Sequence, residues 1–170
     1  MPKIGLTVLT VLASDNNKSK EQIKKFKEDC RRIDGKIFSF AGIVPVPKEM
    51  DEWDETSKYD WYLLNWGTNC DAIDPEITVT SELELKYKFY SAWSPPQKFV
   101  LNASRRFTDL KFIFEYEMNY LGQKGKQEIK DGKVVISEGN GIFLDDHSMK
   151  LLLLQIHNMS GREEEPDLRL

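Results

Sequence analysis

Histidine and cysteine are scarce here, with two of each in 170 residues. Cys30 and Cys70 make neither a disulfide scaffold nor a zinc site. Both sit in apolar stretches, where buried free thiols are expected. His147 follows Asp145 and Asp146, but no second ligand stands at helical spacing to it. His157 is too far along for joint ligation, so surface positions are expected rather than a metal site. Neither histidine has a serine or cysteine partner that would suggest a triad, and no GxxxxGK[ST] phosphate loop occurs. No catalytic set, metal or cofactor is therefore expected. Long apolar runs are missing as well. The tetrad "LLLL" at 151–154 falls far short of the ~20 residues that a membrane span needs. "IGLTVLTVLA" near the start reads as a strand and not as a leader, so no membrane association and a cytoplasmic location are expected. Basic excess is absent too. The net charge is −4, whereas a nucleic-acid binder carries a basic patch. Lysines and arginines at 18–36 alternate with acids, as on a solvated helix face.

What remains is ordinary globular material, 40% hydrophobic and 31% charged. Residues 3–12 are rich in β-branched side chains and predict a strand. Ser19 and Gln22 form an S-x-x-Q capping box. Ile23, Phe26, Cys30 and Ile33 follow at helical spacing, with Gly35 as the stop. "KIFSFAGIVPVP", 36–47, predicts a second strand running into a Pro-broken segment. Residues 48–57 are acidic and loop-like. Ser57, with Asp60 three positions on, predicts the cap of a short helix at about 58–66, closed by Gly67. Period-two alternation from Ile77 to Trp93 is too long for one strand and predicts a hairpin near Ser81–Glu84. In "WSPPQ", Ser94, Pro95 and Gln97 supply helix-start chemistry, and Phe99, Val100, Ala103 and Phe107 the buried stripe. "KFIFEYE", 111–117, alternates as a strand. Asp131–Gly132 marks a hairpin. Two main helices against one antiparallel-rich sheet make an α+β layer fold, with the ferredoxin-like architecture as its nearest named form. The expected division is a domain at 1–138 and a C-terminal extension at 139–170, in which an apolar segment precedes an acidic mobile tail. The apolar run at 149–159 needs cover. It is expected to pack on the open face of the sheet or, as an oligomer contact, on a second copy.

"FAGIVPVPKEM" (40–50), "YDWYLLNWGTNCDA" (59–72), "AWSPP" (92–96) and "FTDLKFIFEYE" (107–117) occur in this order. Together they resemble the YubB-like family, ferredoxin-like proteins carried by plasmids, phages and genomic islands. The likeness covers roughly residues 1–138. Cys70 departs from it, since the family commonly has tryptophan there, and the segment after about 138 has no counterpart. The resemblance implies a mobile-element accessory protein and carries over no reaction.

Asp60, Trp61, Asn65, Trp66, Thr68, Trp93 and Ser94 are the candidate ligand-binding residues. If the two blocks meet, with Trp66 near Trp93, they would line an aromatic-walled pocket with a few polar groups. The competing structural reading makes the aromatics core, with Trp61 and Leu64 buried, and gives the polar residues caps and backbone partners. "KFIFEYE" has the aromatics of an RNA-recognition strand without its glycine, so nucleic acid ranks below protein as a partner. The expectation is a non-enzymatic protein that binds a host or element-encoded protein, with an anti-defence role as one form of it. The alternative is binding of a small ligand or single-stranded nucleic acid through the aromatic pocket.

Overall fold

The first strand of the sheet is its middle. The computed structural model describes residues 3–32 and 34–159. In it, β1 (Ile4–Leu12) pairs antiparallel on one side with β3 (Glu84–Ala92) and on the other with β4 (Lys111–Met118). With β2 (Ile73–Ser81), β5 (Gln123–Lys130) and β6 (Lys133–Gly139), the order is β2-β3-β1-β4-β5-β6. The helices are α1 (Asn17–Asp29), α2 (Glu55–Asn65), α3 (Gln97–Arg106) and α4 (Asp146–Met159). The succession β1-α1-β2-β3-α3-β4 with sheet order β2-β3-β1-β4 is the ferredoxin-like α+β fold, extended beyond β4 by the β5–β6 hairpin. Both predicted hairpins form. The second turns at Asp131 and Gly132, both at positive φ (50° and 72°), as a two-residue turn between twisted strands requires.

One face of the sheet lies under α1 and α3. Leu9 and Val11 of β1, Tyr87 and Phe89 of β3, and Phe112 and Phe114 of β4 are fully buried there. Phe26 of α1 meets Tyr87, Phe107 and Phe112 edge-on, at centroid distances of 5.4–6.1 Å. The aromatics of "KFIFEYE" therefore serve the core and leave no exposed stacking platform.

Segment 36–47 is not a strand. It is irregular chain with a 3₁₀ turn at Phe40–Gly42, and Phe38 and Phe40 dip from it into the core. The cause is Asp71, whose carboxylate accepts from Ser39 Oγ (2.5 Å), Phe40 N (2.7 Å) and Ala72 N (2.8 Å) and pairs with Lys36 (3.3 Å). These bonds give the backbone local partners in place of a strand ladder. Gly42 is pressed on the end of α1, where a Cβ would lie 1.9 Å from the Asp29 carbonyl oxygen. The second strand of the fold is Ile73–Ser81 instead.

The helix starts also differ from their sequence signals. Asn16 caps α1 by accepting from Ser19 N at 2.9 Å. Ser19 and Gln22 reach across the fold, Ser19 Oγ to Asp109 O (3.1 Å) and Gln22 Nε2 to Asp109 Oδ2 (2.9 Å). The helix ends at Asp29, and Gly35 (φ 89°) belongs to the following turn. Ile33 lies outside the described residues. Asp54 caps α2 by accepting from Ser57 N, so that helix begins earlier than Ser57. At α3 the Ser94/Gln97 box does not form. Ser94 Oγ donates to Gly67 O (2.5 Å) and Gln97 Nε2 to Gln127 Oε1 (2.9 Å).

The apolar run near the C-terminus forms α4 and packs within the chain, but on α2 and not on the open sheet face. The open face is polar. A row across it reads Lys88, Val8, Glu115, Lys126, Glu138, each opposite the next. Alternating charge satisfies water and calls for no apolar cover. The expected acidic tail, 160–170, lies outside the described residues.

Tyr87 is fully buried, and its hydroxyl has no hydrogen-bond partner among the described residues. Burial also pushes its phenol well above the ordinary range. An unsatisfied buried hydroxyl costs ~1–3 kcal/mol. Tyr87→Phe should therefore stabilise the protein and raise Tm by about 3 °C in a thermal melt. A lowered Tm would mean that the hydroxyl is bonded.

Candidate functional site

The α2 helix turns Trp61 and Leu64 inward, at 4% and 5% exposure, as the core reading of this stretch requires. Asp60 lies beside them, also buried. Gly67, at φ 82°, closes the helix in the left-handed conformation. Trp66 then folds back on it. Its ring stacks on Tyr62 (4.9 Å, 15°), meets Trp61 and Phe40 edge-on, and donates Nε1–H to Val44 O at 3.0 Å.

The structure brings the two sequence blocks together through hydrogen bonds. Thr68 Oγ1 donates to Ala92 O (2.6 Å), Ser94 Oγ donates to Gly67 O, and Phe99 N, in the first turn of α3, donates to Trp66 O (3.1 Å). The last bond satisfies a first-turn amide that has no partner within its own helix. Asn65 Nδ2 donates to Trp61 O (2.9 Å), and Asn65 O accepts from Asn102 Nδ2 (3.0 Å). The polar groups of Asn65, Thr68 and Ser94 are thus engaged inside the fold. The indole rings part company: Trp66 turns to Phe40, Trp61 and Tyr62, while the ring neighbour of Trp93 is Tyr120.

Trp93 differs from the rest of the set. It is 45% exposed and sits at φ 70°, a conformation that costs a bulky residue on the order of 1–3 kcal/mol. Backbone bonds hold it there. Trp93 N donates to Lys3 O (2.8 Å), and Trp93 O accepts from the Tyr120 hydroxyl. The Tyr120 ring meets the indole edge-on at 6.5 Å, with Lys3 Nζ 5.6 Å from its centroid. Ile4, adjoining Lys3, and Leu121, adjoining Tyr120, are also largely exposed.

One pairing escaped the sequence. His157, expected at the surface, is buried on α4 with its Nε2 2.9 Å from Asp60 Oδ2; the two side chains are 8% and 5% exposed. The available signal was periodicity, since Leu153 and His157 stand one helical turn apart and both are buried. Lys98 Nζ adds a contact to Asp146 at 2.6 Å, at the start of α4. His147 is exposed, as expected. No group of three or more potential metal ligands occurs among the described residues, and no described helix is long and apolar enough to cross a membrane.

Burial raises the Asp60 pKa above the ordinary carboxylate value of 3.8, and His157 opposes that shift. A carboxyl whose folded-state pKa is raised holds its proton more tightly when folded. Its stabilising contribution is complete below pH 3.8 and is lost as pH rises through the raised value. Asp60→Asn removes that loss. Chemical denaturation from pH 3 upward should show the variant gaining on the native protein across this window. A constant difference would refute the burial effect. His157→Ala leaves a buried acid without this partner and should cost about 3 kcal/mol, with faster amide exchange in α4.

A comparison with curated proteins finds no match. Among solved structures, a protein Api92 from Yersinia pseudotuberculosis aligns at 19% identity with a TM-score of 0.45, over 52% of this chain and 32% of its own. Residues 62–143 match the family described as "Ferredoxin-like domain in Api92-like protein". That range runs from late α2 through β6, while α1 and the sheet's central strand β1 lie before it. Over residues 62–143, about half of the chain, the sequence is thus similar to that ferredoxin-like domain.

Proposed function

We propose that the chain is a non-enzymatic protein-binding module, with Trp93 and Tyr120 as its contact centre. The observation that carries this reading is the backbone of Trp93: a large indole held part-exposed in a left-handed conformation. Such strain marks residues whose placement serves something other than stability. Tryptophan and tyrosine are also the residue types that dominate binding hot spots. The partner class is a host or element-encoded protein. That part of the reading, with its mobile-element setting and anti-defence role, rests on the resemblance to the YubB-like family. The alternative, a small ligand or a single-stranded nucleic acid, would have to use the exposed Trp93 beside the half-buried Tyr120, because the rings of Trp61 and Trp66 belong to the core.

The test separates binding from stability with one substitution. Trp93→Gly relieves the left-handed strain, so Tm should hold or rise. Capture from a lysate of host cells with the native chain and with the variant should then differ. Proteins retained by the native chain should be lost from Trp93→Gly, and each should bind the purified native chain directly at least ~10-fold more tightly than the variant. Identical captured sets from both would overturn the reading.

A further inference from the structure

The last strand of the sheet is exposed in a way that the others are not. Every residue of β6 is solvent-exposed. Val134, Val135 and Ile136 stand in succession at 39%, 63% and 46% exposure. Among the described residues β6 pairs only with β5, so its outer edge offers free backbone donors and acceptors. Edges of this kind are normally blunted by proline, by inward-pointing charge, by a bulge or by cover, and of these β6 carries the single bulge at Val135. Residues 133–139 contain no proline, and their charged residues stand at the two ends.

We propose that β6 pairs antiparallel with β6 of a second copy of this chain, joining the two sheets edge to edge about a two-fold axis between Val135 and Ile136. The side chains select that register. Lys133 is opposite Lys130, and Glu138 is opposite Lys126, both on the open face. Val134 and Ser137 are opposite Ile129 and Gln127, on the helix-covered face. The shift between Glu128 and Ile129 leaves Val135 as an extra residue between these pairs. A two-fold centred between Val135 and Ile136 sets Lys133 against Glu138 of the second copy and Val134 against its Ser137. Like faces then meet, and the symmetry makes each pairing twice. A slip of one residue puts Val134 against Glu138 and sends paired side chains to opposite faces.

Charge favours the same occupant. Lys133 and Glu138 form no ion pair among the described residues, and Lys133 faces the like charge of Lys130. The second copy brings a carboxylate to each Lys133, and opposite charges directly across an antiparallel pair are favourable. The apolar stripe on α4 has no comparable register or charge to specify a partner, so self-association is assigned to β6 in preference to 149–159. A contact made by one strand is narrow, and the dimer is therefore weak and concentration-dependent.

Sedimentation equilibrium of the full chain, from ~10 μM to ~1 mM, a range suited to a small interface, should show reversible dimers. Lys133→Glu turns both symmetric pairs repulsive and should weaken association by about thirty-fold. The double variant Lys133→Glu/Glu138→Lys restores opposite charges and should recover the native dimer constant. Circular dichroism and Tm should match across all three proteins, since both positions are exposed. A native chain that stays monomeric through the whole range overturns the proposal. So does a dimer indifferent to Lys133→Glu, or a double variant as weak as the single one.

Discussion

The carboxylate of Asp71 decides how the core of this protein is filled. A two-layer domain needs large side chains over the middle of its sheet, and the two main helices supply only part of them. The rest come from Phe38 and Phe40, on a stretch of irregular chain. Phe38 packs on Tyr87 and Phe89 at 4.5 and 5.0 Å, and Phe40 on Phe99 at 4.6 Å. Irregular chain enters a core only when its polar backbone finds partners. Asp71 provides them from just before β2, so the segment that fills the core and the strand at the sheet edge are set by one side chain.

The two faces of the sheet follow different rules as a result. The helix-covered face is an interlocked aromatic layer, where shape complementarity governs. The open face is a lattice of opposed charges around the half-buried Leu6, Val8 and Leu12 of β1. The position of α4 owes more to polar contacts than to apolar cover. Leu153 is its buried apolar residue, and the Asp60–His157 pair and the Lys98–Asp146 contact fix it beside α2 and α3.

The alternating strands, both hairpins and the buried faces of α1 at Ile23 and Phe26 and of α3 at Phe99, Val100 and Ala103 were legible from periodicity and turn signals. The apolar stretch at 36–47 was misread as a strand. Its composition fits one, and the residue that prevents it, Asp71, is distant in sequence. The cap residues were misread for a similar reason. Ser19, Gln22, Ser94 and Gln97 have the right chemistry for helix starts, but the same donors and acceptors bond to Asp109, Gly67 and Gln127 instead. Local signals cannot register such competition from distant groups. In the candidate site, the burial of Trp61 and Leu64 was readable from spacing. The left-handed backbone of Trp93 was not, because it depends on Lys3 and Tyr120, far away along the chain.

The central place of β1 has a consequence for how the chain comes off the ribosome. Its neighbours β3 and β4 are encoded on the order of 100 residues later, a delay of ~5–20 s at usual elongation rates. Until then its apolar face has no strand to pair with, and the helix that follows has no sheet to sit on. The nascent segment must wait as an amphipathic strand, the state most prone to mispairing and most suited to transient chaperone contact. Synthesis of the α3–β4 segment is therefore the step that gives β1 its second neighbour and completes the middle of the sheet.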